Sequence, residues 1–185
     1  QKMTPACIYN HDIWVGDWMK IITFILLSQK IKLIVSPVKF SFSLTSQFKR
    51  KIFRYKILRK PIGLSRNTTR DNREKTSFHI MAINKKNEII GVGRLHFVGS
   101  NKSQIRYMAV DNKIRKVGVG REIVNKLEAY SIKNNRNIVI LNAREDAVNF
   151  YSKLGYKNLG KIDVGIDIKH FQMKKNLKNY PSRSE

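Results

Sequence analysis

The chain has 185 residues, 42% of them apolar, which suffices for one domain with its own core, is short for two, and excludes wholesale disorder. A single cysteine, Cys7, rules out an internal disulfide framework or a cysteine-based zinc site, and four scattered histidines (His11, His79, His96, His170) have no metal-ligand spacing, so no metal is expected. The net charge of +24, from 37 Lys and Arg against 13 Asp and Glu, would suit nucleic acid, an anionic membrane or acidic substrates, but the basic residues are spread along a chain also rich in Asn and Ile, and charge alone assigns no function.

Residues 1–45 read as an N-terminal extension of unassigned role. Their apolar run, 21–27, is bounded by Lys20 and Lys30. It falls short of the roughly 20 apolar residues a membrane span needs. Residues 46–60 read as a helix with Phe48, Ile52 and Tyr55 on its apolar face, stopped by Pro61 and Gly63. The polar stretch 63–75 has no periodicity and reads as a loop. Two β-like runs, 78–83 and 88–98, flank Asn84-Lys85-Lys86-Asn87, a hairpin signal, and 104–110 is a third strand. A helix over 118–134 places Ile123, Val124, Leu127 and Tyr130 on its buried face, and 138–141 is a short apolar strand. Ala147, Val148, Phe150, Tyr151 and Leu154 stripe a second helix that Gly155 terminates. Strand-like runs 156–162 and 165–173 complete a domain over 46–176, followed by a polar tail, 177–185. The succession is a mixed α+β pattern with helices packed on a sheet.

The chemistry begins between the third strand and the helix that follows. Residues 111–121 read Asp-Asn-Lys-Ile-Arg-Lys-Val-Gly-Val-Gly-Arg. Two glycines at a helix start remove Cβ atoms where a ligand can approach the backbone. The first helical N–H groups lack internal partners and lie at the positive end of the helix dipole, which makes an anion site suited to a pyrophosphate. Arg115, Lys116 and Arg121 add positive charge around it. A dinucleotide fingerprint would need a third glycine where Ile123 stands, and a Walker loop would need Gly-Lys-Ser/Thr, so both are disfavoured. Taken by itself the segment also reads as a glycine-containing turn before an ordinary helix.

The segment Arg115-x-x-Gly118-x-Gly120 resembles motif A of the GNAT superfamily of N-acetyltransferases, and residues 147–156 resemble its motif B, with Tyr156 where Phe is usual. The resemblance spans about 46–175 and implies a mixed, mostly antiparallel central sheet flanked by helices. It implies acetyl-CoA as cosubstrate, its pyrophosphate on the loop Arg115, Lys116, Val117, Gly118, Val119, Gly120 and Arg121. The pantetheine arm would lie along the backbone of Met108, Ala109 and Val110, in what resembles the family's fourth strand, with Asn142 and Asn149 bonding its amides. Tyr151 would protonate the departing thiolate, as phenols of pKa near 10 can; by residue type alone it would be a core tyrosine. A neutral primary amine, on a small molecule or a peptide, would attack the thioester directly. The general base is not identifiable: His79, His96 and Glu145 are the candidates, and none is assigned. A cytoplasmic protein and a homodimer are further expectations.

The rival reading is a binding module of the same fold docking on RNA, the ribosome or another anionic partner. Seven basic residues lie between Lys49 and Lys60, enough for an electrostatic stripe, but no aromatic residues interleave with them in a stacking pattern, and it is not favoured.

Overall fold

The computed structural model describes residues 39–41, 47–114 and 117–177. The extension up to residue 38, the tail from 178, and Arg115 and Lys116 lie outside the described residues, and with them the apolar run 21–27. Seven strands form one sheet: β1 (Lys39–Ser41), β2 (Phe78–Ile83), β3 (Ile89–Val98), β4 (Lys102–Val110), β5 (Ile138–Arg144), β6 (Lys157–Ile162) and β7 (His170–Asn176). Their spatial order is β1-β2-β3-β4-β5-β7-β6. Every neighbouring pair is antiparallel except β4–β5. Among the described residues three helices accompany it: α1 (Gln47–Arg54), which runs on into a π turn at Tyr55–Arg59, α2 (Val119–Lys133) and α3 (Val148–Ser152). The expected mixed, mostly antiparallel sheet with flanking helices is the architecture found. Because β1 pairs along β2, the sheet also draws on residues that precede position 46.

Local chemistry explains the elements. At the β2–β3 hairpin the Asn84 side chain accepts the amides of Lys86 and Glu88, both at 2.9 Å, and Asn87 takes φ 60°. On β3, Gly91 and Gly93 bring α2 close to the sheet. A Cβ on Gly93 would stand 2.8 Å from Ile123 Cγ2 and 3.0 Å from Leu127 Cδ1, so glycine is what the helix–sheet spacing requires. The face of α2 predicted from periodicity is the buried one: Ile123, Val124 and Leu127 pack with Ile80, Leu95, Ile105, Leu141 and Met173 in the main core. Tyr156 belongs to this core, and its hydroxyl donates to Glu128 Oε1 at 2.8 Å, while Lys175 Nζ donates to Oε2 at 2.7 Å. Tyr156 thus satisfies a buried carboxylate on α2.

The opposite face of the sheet corrects one expectation. Phe48 and Ile52 of α1 are exposed, at 69% and 38%, while Arg50, Phe53 and Arg54 are buried. Phe53, with Ile57 and Leu58 beyond it, packs on Met81, Val92 and Ala109, and that contact fixes the helix's rotation. The two arginines are carried inward by the same rotation.

The decisive feature lies in β4. Val92 is paired with Ala109 and Arg94 with Arg106, so Gly93 faces two residues, Tyr107 and Met108, and Tyr107 takes φ 52°. This β-bulge resets the alternation of side chains. Ile105 and Met108 both meet the α2 core, whereas Tyr107 lies on the α1 side with Arg106. The pairing of β4 with β5 stops just before the bulge, at Ile105 with Leu141. Beyond it β4 continues against β3 up to Val110, and β5 against β7 up to Arg144. The middle of the sheet therefore splits into a V.

Candidate active site

The helix α2 begins at the V. Gly118 is its N-cap, at φ 92°, a left-handed conformation that glycine adopts without a Cβ penalty. Its carbonyl accepts the Glu122 amide at 3.0 Å. The amides of Val119, Gly120 and Arg121 precede that first bond and have no intrahelical acceptor. The two glycines differ in role. A Cβ on Gly118 would meet nothing within 4 Å, whereas one on Gly120 would come 3.3 Å from Phe150 Cζ and 3.6 Å from Met108 Cε. Gly120 thus lets the helix start close against α3 and the bulge. Val119 contributes its amide here, its side chain being buried in the core; Val117 and Arg121 are exposed.

Of the other expected residues, Met108 and Val110 pack against the main core and Ala109 against the smaller one. Along 106–110 the side of β4 that would meet β5 has no strand partner. Asn142 is the first β5 residue past the last β4 pair, and its side-chain Oδ1 is buried without a hydrogen-bond partner. A buried acceptor left unbonded is costly and marks a place where a donor belongs. Asn149 is exposed on α3. Tyr151 is 6% exposed, edge-on to Phe150 and Tyr156 with ring centroids 4.9 and 5.7 Å away. Burial raises its phenol above the ordinary tyrosine range, so it stays protonated.

Sequence reasoning did not anticipate the other side of the V. The Tyr107 ring is surrounded by four guanidinium groups, those of Arg94, Arg54, Arg106 and Arg59, at 4.8, 5.0, 5.4 and 5.7 Å from its centroid. Two carboxylates from the polar loop compensate the buried pair. Arg54 donates to both oxygens of Glu74, at 2.9 and 3.0 Å, and Arg94 to Glu74 at 3.1 Å and bidentately to Asp71 at 2.6 and 2.7 Å. Burial works against the Glu74 charge, yet these cations hold its pKa below the usual value. The only advance signal was a pair of acids, Asp71 and Glu74, in a loop whose other charged residues are all basic.

Neither histidine is placed as a ready base. Arg54 Nη2 donates to His79 Nδ1 at 3.1 Å, so His79 carries its proton on Nε2, which donates to the Glu74 carbonyl at 2.8 Å. Burial, with Arg94 and Arg73 nearby, depresses His96 to about 4. Glu145 is exposed beside Lys169 at 3.7 Å. The basic stripe of the rival reading is interrupted, since Arg50 and Arg54 point into the protein.

The Asp71–Arg94 pair has a measurable consequence. The hydrogen bonds from Arg94, helped by its charge, hold Asp71 at about 2, against about 3.9 for a free side chain. A depressed carboxylate stabilises the fold fully above the unfolded pKa and loses that contribution as pH falls through the folded one, so the window runs from about pH 4 down to about pH 2. Asp71→Asn is expected to lower unfolding free energy by about 2 kcal/mol at pH 7, with the difference closing near pH 2. Urea unfolding at both pH values checks it; a deficit independent of pH would show the loss to be steric.

Residues 55–177 match the acetyltransferase (GNAT) domain family. The fold is similar to that of a candidate N-acetyltransferase from Lactobacillus plantarum, at 18% identity and TM-score 0.66 over 76% of this chain and 97% of that one. A GNAT-family acetyltransferase from Staphylococcus aureus Mu50 aligns at 17% identity and TM-score 0.64, over 76% and 99%. An aminoglycoside 6'-N-acetyltransferase complexed with coenzyme A aligns at 16% identity and TM-score 0.62, over 77% and 99%. Among the described residues no helix is long and apolar enough to cross a membrane.

Proposed function

Because the chain belongs to the GNAT acetyltransferase family, and is by that membership an acyltransferase, we propose that it transfers an acetyl group from acetyl-CoA to a primary amine by direct attack. The observation that carries this reading is the V between β4 and β5 with the unbonded amides of α2 at its mouth. Acetyl-CoA supplies an acyl group activated as a thioester, with a thiolate as leaving group. The amides of Val119, Gly120 and Arg121, with the helix dipole, hold the pyrophosphate, and Arg115, Lys116 and Arg121 supply charge around it. Val117 and Gly118 shape the loop that leads into them. The open edge of Met108, Ala109 and Val110 offers main-chain hydrogen bonds to the pantetheine arm, which takes the place of the missing strand partner. The orphaned Oδ1 of Asn142 accepts one of its amide N–H groups, and Asn149 bonds the arm from α3. A backbone N–H beside the bulge stabilises developing negative charge on the carbonyl oxygen, and Tyr151 holds the proton that the leaving sulfur takes. A reducing, cytoplasmic setting accords with the lone Cys7.

Thermal unfolding with and without acetyl-CoA, joined to thiol release over a panel of amines, tests the reading. At about 100 times its dissociation constant, acetyl-CoA should add about 2.7 kcal/mol of stability. At least one amine should raise thiol release above the hydrolytic background. No stabilisation and no amine-dependent release would overturn it.

A further inference from the structure

The four arginines around Tyr107 are unequally compensated. Arg54 and Arg94 are fully buried and claim both carboxylates of the polar loop. The outer pair is left with weaker acceptors. Arg106, its side chain 43% exposed, reaches Asp71 at 3.3 Å, on a carboxylate already bonded bidentately by Arg94. Arg59 donates to the carbonyls of Thr68 at 3.3 Å and Leu58 at 3.4 Å. Arg144, at the end of β5, donates to the same Leu58 carbonyl, so its guanidinium converges with that of Arg59. Burial lowers the Arg59 pKa; Tyr107 works against that, and the neighbouring charges of Arg144 and Arg106 add to it.

These groups stand where the V opens. Arg106 is the first β4 residue past the last β4–β5 pair, and Arg144 ends the opposing strand. The bulge leaves the side chains of Arg106 and Tyr107 both on the α1 side, opposite the face where α2 packs. If the coenzyme enters from the α2 end, the second substrate approaches from this cationic side.

Resting on the acetyl-transfer reading, we infer that the acceptor is an amine carrying its own anionic group, a carboxylate or phosphate, which Arg59 and Arg106 bind while the amine enters the V. Planar guanidinium groups match the oxygens of either anion bidentately. A polycationic acceptor, such as a polyamine or an aminoglycoside, would meet the same groups as repulsion.

Matched pairs test this on the full chain: glycine against glycinamide, phenylalanine against its amide, and phosphoethanolamine against ethanolamine, with spermidine as the polycation. The anionic member of the preferred pair should have a kcat/KM about tenfold higher or more, the scale of one charge-assisted hydrogen bond, and the pair showing it tells carboxylate from phosphate. Arg59→Gln and Arg106→Gln should each pull that ratio toward one, with Arg59→Lys recovering part of it. As a readout independent of turnover, N-acetylglycine or N-acetylphosphoethanolamine should stabilise the CoA-loaded protein against heat more than N-acetylglycinamide or N-acetylethanolamine does. Ratios near one, preference for spermidine, or ratios unmoved by both glutamine variants would overturn the inference. So would equal stabilisation by the anionic and neutral products. Acetyl-CoA binding measured alongside separates the two levels: with binding intact, only the acceptor assignment fails; without it, the acetyl-transfer reading falls as well.

Discussion

Replacing Gly118 by valine is expected to weaken acetyl-CoA binding by at least about tenfold in a protein that still folds. Gly118 sits at φ 92°, and no atom lies within 4 Å of where a Cβ would stand. The substitution therefore strains the backbone rather than creating a clash. A residue with a Cβ in left-handed conformation costs about 1–2 kcal/mol, and a β-branched one is a genuine outlier. The inexpensive escape is for the loop to leave that conformation, which re-aims the amides of Val119, Gly120 and Arg121. Since 1.4 kcal/mol is a factor of ten in an equilibrium constant, strain of this size moves affinity on the stated scale. Gly118→Ala should lie between valine and wild type. Titration calorimetry with acetyl-CoA decides it, and unchanged affinity in folded Gly118→Val would remove the loop from the binding site.

Tyr151→Phe should act on turnover instead. The ring is held between Phe150 and Tyr156, and phenylalanine keeps that packing while removing the proton. General acid catalysis contributes typically 10²–10⁴-fold, so kcat should fall by at least about tenfold with acetyl-CoA affinity nearly unchanged. Because burial keeps the phenol protonated, no alkaline limb from this group is expected below about pH 10. Single-turnover kinetics isolate the chemical step. Turnover close to wild type there would leave Tyr151 a packing residue and make solvent the proton source.

The parts of the fold legible in the sequence were those governed by local periodicity. Ile123, Val124 and Leu127 announce the buried face of α2, and the run Asn84-Lys85-Lys86-Asn87 ahead of β3 announces a hairpin, because each signal lies within a few residues of sequence. The face of α1 was misread for the converse reason. Arg50 and Arg54 count as polar in any pattern, and what permits Arg54 to be buried is Glu74, twenty residues away in a loop with no period of its own. The bulge was equally hidden. Tyr107 is a good strand former, and nothing in residues 105–110 signals that one of them takes a positive φ. Of the candidate site, the glycines of the loop were found by motif, but their division of labour was not. Only the contact of Gly120 with Phe150, across the start of α2, shows that one glycine serves packing and the other conformation.

The short register between β4 and β5 makes the sheet behave as two plates joined along a seam. On one side lie β1 to β4, on the other β5 to β7, and the seam is the four residues from Lys102 to Ile105 against Ile138 to Leu141. On the proposed reading the coenzyme lies in the gap and touches both plates, so it acts as a tie between them as well as a reactant. Both plates pack on α2 in one core, Ile80 and Leu95 from one and Val139, Leu141 and Met173 from the other, and that core holds the angle at which they meet. A change at Ile105 or Leu141, the last pair of the seam, would tune the gap through that angle, and evolution could adjust the site there without altering a single residue proposed to touch the substrate.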